Sequence, residues 1–359
     1  TRKPSRSGNL RVADLRTLWR SSAPGSRLTR AALLPAAALF RGVSAARGAL
    51  YSAGVFPSFD LGAPTVSVGN LTVGGTGKTT LASWLASELS LRGAHPGILL
   101  RGYGDDEVRV HEILFPRAIV VPDADRVRGA RAAKARGADV LVLDDAFQHR
   151  RARRDVDIVL VSADALGDAK WPLPAGPWRE PLSSLKRASL ALVTCKAASP
   201  ATVGRLLNRI ADAAPGVATA VAHLELVEMA AWGTQERIPI GQPSGDRVLA
   251  ISAIGDPEAF EAQLRHAGLD VTSVRFPDHH RFGKDEVAVI CARAGGSLRA
   301  LCTLKDAVKL GPRWPLAGPP LWYLSQRVII ERGEGSLAGL LATLVAARRE
   351  VGPPPAPQP

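Results

Sequence analysis

Residues 66–80, VSVGNLTVGGTGKTT, pass from β-branched residues through a glycine cluster into Gly-Lys-Thr-Thr. The stretch demands a buried strand, a tight turn and a helix over 78–91, in that order. Only then do the backbone N–H groups of Gly74, Gly75 and Gly77 approach one anion, with no Cβ in the way. The N-terminal end of the helix adds its own positive potential there. In such a loop Thr72, Thr76 and Gly77 wrap the phosphates of a nucleoside triphosphate, ATP being the expected one. Lys78 reaches the β- and γ-phosphates, Thr79 presents a hydroxyl to Mg2+, and Thr80 follows in the same turn. The first position of GxxxxGK(S/T) falls on Thr72 instead of glycine. A glycine turn that holds no ligand is the competing reading, and the strand, turn and amphipathic helix in sequence argue against it.

Downstream, strands are expected at 97–100, 118–121, 140–143, 158–162 and 190–194, with helical stretches such as 126–136 between some of them. This rhythm predicts an α/β fold: a P-loop NTPase-like parallel sheet with helices on both faces. Ligands of such sheets gather at the carboxyl ends of the strands. Three charged loops fall there. VLVLDDAFQHRR (140–151) ends a strand in Asp144 and Asp145, the hard oxygen donors that a Walker B site offers to Mg2+, with Gln148 and His149 directly after. RGYGDDEV (101–108) presents Asp105, Asp106 and Glu107. LPAGPWREP (173–181) holds Arg179 and Glu180 in a proline- and glycine-shaped loop.

The net charge of +13 calls for an acidic partner, and its placement narrows the choice. Over residues 1–60, ten basic side chains face two acidic ones, so +8 of the +13 lies there. The apolar run AALLPAAALF (31–40) is too short to span a bilayer, which takes about 20 residues. Arginines flanking Leu, Trp and Phe predict instead a helix lying in an anionic membrane surface, with LRTLW (15–19) part of it. No nucleic-acid motif accompanies the basic arm, and no nucleic-acid partner is expected. Cys195, Cys291 and Cys302 are scattered without a CxxC pair, which suggests neither a zinc site nor a disulfide framework and fits a reducing, cytosolic compartment.

Five motifs in order, GNLTVGGTGKTT, RGYG with a nearby acidic pair, LDDAFQHRR, LPAGPWREPLSSLKRA and FPDHHRF, resemble the tetraacyldisaccharide 4'-kinase (lipid A 4'-kinase) family. TLKDAVKL near residue 310 extends the similarity. The resemblance implies transfer of the γ-phosphate of ATP to the 4'-hydroxyl of tetraacyldisaccharide 1-phosphate, a lipid A precursor. The implied location is the cytoplasmic face of the bacterial inner membrane, held peripherally. It also implies Lys78 and Arg179 as catalytic cations and Thr79, Asp144, Asp145 and Glu180 as the Mg2+ set, with Arg126, Gln148 and His149 as active-site support. The family's catalytic Asp-His pair maps onto Asp106 with Glu107 and onto His279. Because the spacer after RGYG is short and Val108 replaces a proline, Asp105 competes with Asp106, as His280 does with His279. The basic run HRRARR (149–154) is expected to face a lipid head group or the substrate's 1-phosphate.

The chain is expected to divide into a basic amphipathic segment (1–60), a P-loop core (61–216), a smaller α/β unit (217–331) and a C-terminal helix with a proline-rich tail (332–359). Two long β-rich stretches, 217–227 and 321–331, would pair as the connection, so that closure of the smaller unit brings His279 to the nucleotide. A membrane-associated regulatory NTPase is the other function class. An NKxD-type guanine reader, which would mark a GTPase switch, is absent from the sequence.

Overall fold

Proline at its first turn opens the longest helix, α1 (Pro24–Ser52), where a missing N–H costs nothing. The helix continues through Pro35. There one backbone hydrogen bond is forfeited, and the neighbouring Ala- and Leu-rich turns sustain the helix. The computed structural model describes residues 18–19, 21–102, 105–165, 171–240, 246–278, 280–295 and 298–350. His279 and the proline-rich tail lie outside them. Among the described residues no helix is long and apolar enough to cross a membrane.

Strand and helix alternate after α1, in the order β1 (Thr65–Asn70), α2 (Lys78–Leu91), β2 (Pro96–Leu100), α3 (Asp105–Leu114), β3 (Ile119–Pro122), α4 (Arg126–Ala135) and β4 (Val140–Asp144). Then come β5 (Val156–Ser162), a 3-10 turn over Leu182–Arg187, β6 (Leu190–Cys195), α5 (Pro200–Ala213), β7 (Ala218–Ala231) and β8 (Arg237–Pro239). The remainder is β9 (Arg247–Ser252), α6 (Pro257–His266), β10 (Asp270–Arg275), α7 (Lys284–Arg293), β11 (Leu298–Cys302), α8 (Leu304–Leu310), β12 (Leu321–Arg332) and α9 (Glu334–Glu350). Every residue of β1, β2, β4 and β6 is buried. Helices on both faces produce that pattern, which is why these strands read as continuous apolar runs and not as alternating ones.

All the strands form one hydrogen-bonded sheet in the order β10-β9-β11-β12-β7-β6-β5-β1-β4-β2-β3, with β8 pairing β7 at the side. β1 lies between β4 and β5, parallel to both. The 217–227 and 321–331 stretches do pair: β7 and β12 run antiparallel, with register shifts at Ser325/Gln326 and Ile330/Arg332. Since β7 is also parallel to β6, and β12 to β11, the pair joins both halves of the sheet without a break. α9 then returns to the first half, where Leu337, Leu341 and Leu344 are buried with Leu81 and Leu85 of α2 and with Val140 and Val142 of β4. Arg348 ties its far end to Asp139 at 3.0 Å.

One N-terminal expectation needs correcting. Trp19 does not belong to a lipid-facing surface: it is 4% exposed, and its indole Nε1 donates to the carbonyl of Pro174 at 2.9 Å. Burying a large ring with its one donor satisfied outweighs its membrane affinity. Arg30 of α1 holds this segment by donating to the carbonyls of Leu18, Trp19 and Ser21.

Candidate active site

The phosphate loop takes its shape from contacts on three sides. Gly77 precedes α2 with φ of +87°, and a Cβ there would run into the Leu224 side chain of β7, so only glycine fits. From β6, the Thr194 hydroxyl donates to the carbonyl of Thr76 at 3.2 Å, and Lys196 Nζ donates to that of Gly75 at 3.2 Å. On the other flank the LPAGPWREP loop is laced to it: Val73 N donates to Pro177 O at 2.8 Å and Arg179 N to Leu71 O at 2.8 Å. Asn70 Nδ2 reaches Thr76 Oγ1 at 3.0 Å across the loop. Thr72 pairs with Trp178 in an isolated bridge, and Gly74 and Gly75 share the wall of a small cleft with Trp19 and Asp256.

Beside the loop, β4 ends in the two aspartates, which face different surroundings. Asp145 adopts φ of +52° and is 41% exposed at its side chain. Its carboxylate accepts from Arg179 Nη1 at 2.9 Å and lies 3.6 Å from Lys78 Nζ. Burial, the largest influence on Lys78, lowers its pKa; Asp145 opposes this and Arg179 reinforces it. Asp144 is buried, and its Oδ2 accepts from Nε2 of the fully buried His111 at 3.2 Å. Burial would raise the Asp144 pKa, but the His111 hydrogen bond and the charges of Lys78 and Lys305 prevail and hold it below the usual carboxylate value. Arg126, 3% exposed, donates to the backbone carbonyls of Asp144 at 3.2 Å and Asp123 at 2.6 Å, and burial lowers its pKa.

These donors fit Mg2+. Asp144 Oδ1 is buried and has no hydrogen-bond partner among the described residues, a condition that a bound cation relieves. Thr79, in the first turn of α2, is nearly buried. No cluster of three or more His, Cys, Asp or Glu side chains among the described residues could hold a metal unaided.

Other expected site residues have different partners. Glu180, counted with the metal set, gives its carboxylate to Arg187 at 2.8 Å. Gln148 turns its amide to Asn70 O at 2.9 Å and so supports the loop from below. His149 has a buried Nε2 with no partner among the described residues, and its pKa is pushed down to about 4 by burial and by Arg126, Arg154 and Arg47. Asp106, in the first turn of α3, pairs with Lys309 of α8 at 3.4 Å. Asp105 opens the same helix, and Glu107 follows Asp106 within it. His280 stacks on Phe276 and bonds Glu286 at 2.7 Å.

The HRRARR run is committed largely to internal contacts. Arg154 pairs with Asp157 at 3.0 Å, Arg151 with Asp125 at 3.5 Å, and Arg150 donates to Gly48 O of α1 at 2.6 Å. Arg151 and Arg153 are the exposed side chains of the run, and Arg153 makes no ion pair among the described residues.

Sequence reasoning missed His111, Lys196 and Lys305 as site residues. Lys196 directly follows β6 just as Asp145 follows β4, a strand-end position that was legible. Lys305 acts electrostatically on both Lys78 and Asp144 from the far half of the chain. His111 carries no motif.

A glycine-rich phosphate loop opening a helix, with carboxylates at the end of an adjacent parallel strand, defines a P-loop NTPase-like phosphotransferase. The chain belongs to the tetraacyldisaccharide-1-phosphate 4'-kinase family, whose family model, described as Tetraacyldisaccharide-1-P 4'-kinase, matches residues 29–114 and 106–346. The tetraacyldisaccharide 4'-kinase of Anaeromyxobacter sp. (strain K) is 35% identical over 381 residues, covering 97% of this chain and 99% of the relative. That of Geobacter metallireducens is 37% identical over 296 residues, 74% of this chain and 84% of the relative. A solved LpxK from Aquifex aeolicus in complex with ATP superposes with a TM-score of 0.69 at 28% identity, covering 88% of this chain and 99% of that one. The chain is therefore an ATP-dependent kinase of lipid A biosynthesis.

Proposed function

We propose that the phosphate loop and the Asp144–Asp145 turn transfer the γ-phosphate of ATP to the 4'-hydroxyl of tetraacyldisaccharide 1-phosphate, forming lipid IVA. One observation carries the assignment of roles: Lys78 and Arg179 converge on Asp145, at 3.6 and 2.9 Å, beside the loop's backbone N–H groups. Two cations so close to one exposed carboxylate are positioned to exchange it for phosphate oxygens. Charge neutralisation and positioning supply most of phosphoryl-transfer catalysis. Thr79, Asp144 and Asp145 would hold Mg2+, which when bound screens charge on the transferring group.

A sugar hydroxyl is a weak nucleophile and needs a proton acceptor within hydrogen-bond reach. Asp106 is assigned that role, supported by its place at the start of α3 and by the family motif. Its Oδ2 lies 3.4 Å from Lys309 Nζ of α8, which ties the start of α3 to the far half of the sheet. His279 is assigned as its partner from the motif alone.

The acceptor is a lipid, and α1 suits a membrane surface. Its exposed apolar residues Leu28, Leu39, Val43 and Leu50 fall within one narrow arc at helical spacing, continued by Val55, Phe56 and Phe59 after the helix. Arg47 of α1 donates to Gln148 O at 3.2 Å, so this surface adjoins the aspartate turn. We assign the protein a peripheral position on the cytoplasmic leaflet, with 217–331 acting as a unit that closes over the nucleotide.

Incubation of the purified protein with γ-labelled ATP and tetraacyldisaccharide 1-phosphate tests the reading. Label is expected in the lipid. Lipid-independent ATP hydrolysis with no labelled lipid would favour a regulatory NTPase instead.

A further inference from the structure

His111 has no exposed surface, lies on α3 beneath the nucleotide site, and has both ring nitrogens occupied. Nε2 meets Asp144 Oδ2 at 3.2 Å, and Nδ1 meets Ser83 Oγ at 2.7 Å. Because a carboxylate only accepts, Nε2 carries the proton. Ser83 is itself buried and lies one helical turn beyond Thr79 on α2, on the same face. The imidazole thus spans two elements: the helix that carries Thr79 and the strand end that carries Asp144. It also divides the two carboxylate oxygens of Asp144, since Oδ2 is taken while Oδ1 is buried without a partner among the described residues.

We infer that His111, held by Ser83, is a positioning residue that fixes Asp144 with Oδ1 presented to the divalent cation and sets its spacing from Thr79; this rests on the assignment of both residues to that cation. A purely apolar side chain would fill the same space without burying polar atoms. The hydrogen-bonded imidazole is better suited to orienting a ligand carboxylate, and loss of such outer partners typically weakens metal binding about 10–100-fold.

Mn2+ binding to the full-length protein with a non-hydrolysable ATP analogue, followed by electron paramagnetic resonance, tests the inference. His111→Phe is expected to weaken Mn2+ binding about 10–100-fold while metal-free nucleotide binding holds. His111→Gln, whose amide can donate to Asp144, is expected to recover most of the loss. Ser83→Ala removes one hydroxyl and little volume, and is expected to weaken Mn2+ binding in the same direction, so the test stands even where His111→Phe yields little folded protein. Wild-type affinity in both His111→Phe and Ser83→Ala, or in Ser83→Ala alone if His111→Phe does not fold, overturns the inference. So does a Gln variant as weak as a folded Phe variant. Asp144→Asn separates the two levels of argument: if wild type binds Mn2+ no better than Asp144→Asn, the cation assignment itself fails.

Discussion

Gly69 is where the phosphate-loop strand meets the aspartate turn, and adding one methyl group there puts their fit to the test. A Cβ on Gly69 would lie 2.8 Å from the backbone N of Phe147 and 3.1 Å from its Cα, and closer still to its Cβ. Comfortable contact between such atoms begins near 3.5 Å, so the 144–147 turn must retreat by roughly 0.5–1 Å. Ala146 N donates to Val68 O at 3.2 Å, which resists that retreat. Overpacking of this kind costs about 1–3 kcal/mol of folding stability. The catalytic loss is expected to be larger in proportion, since misplacing a reacting constellation by about 1 Å lowers rates roughly 100-fold. Gly69→Ala should therefore give a folded protein with kcat down about two orders of magnitude, read by lipid phosphorylation alongside urea denaturation. Trimming the ring with Phe147→Ala should not rescue it, because the clash is with backbone and Cβ. Wild-type turnover in Gly69→Ala, or rescue by Phe147→Ala, would refute the reasoning.

Two groups whose pKa is shifted by burial should give opposite pH dependences of stability. The His149 pKa, pushed down to about 4 in the fold against 6.5, means that the unfolded chain binds more protons in that window, so its contribution is whole above pH 6.5 and is lost as pH falls towards 4. Asp306, raised by burial to about 6 from 3.8, behaves inversely: its contribution is whole below pH 3.8 and is lost as pH rises through 6. Denaturation of His149→Asn and Asp306→Asn between pH 4 and 7.5 should each remove the corresponding slope, and profiles parallel to wild type would count against both. Leu341→Ala should cost about 2–5 kcal/mol because it opens a cavity under α9, and urea unfolding that gives under 1 kcal/mol would mean the helix is not seated in the core as described. Anionic vesicles should bind the protein with strong salt dependence, at about 1 kcal/mol per arginine near the surface, and Leu39→Asp with Val43→Asp should release it; flotation unchanged by these substitutions would remove α1 from the membrane.

The parts of this fold that depend on local chemistry were legible in the residues. The Gly-Lys-Thr turn set the start of α2 at Lys78, and the apolar run ending in Asp144 set β4, because strand and cap preferences act within a few residues. The pairing of β7 with β12 was also readable, since both stretches are long and β-rich, although β7 continues to Ala231. Long-range placement was less legible. Trp19 reads as amphipathic in sequence and turns inward because a carbonyl more than 150 positions away, Pro174 O, accepts its indole N–H. HRRARR reads as a basic patch, yet Arg150 donates to the carbonyl of Gly48, 102 positions earlier, a partner that arrives only with the packing of α1. His111 follows Asp106 by five positions with no motif around it. Its meaning depends on Ser83 and Asp144 arriving from α2 and β4.

The central claim is that Lys78, Asp144 and Asp145 serve phosphate transfer to a lipid sugar. Phosphorus NMR of the isolated lipid product after incubation with ATP and tetraacyldisaccharide 1-phosphate tests it most directly. Wild type should yield a second phosphate resonance coupled to the 4' position, and folded Lys78→Ala and Asp144→Asn proteins should form that product at least about 100-fold more slowly. ATP consumed with the 4' position left unphosphorylated, or variants that transfer at the wild-type rate, would contradict the account.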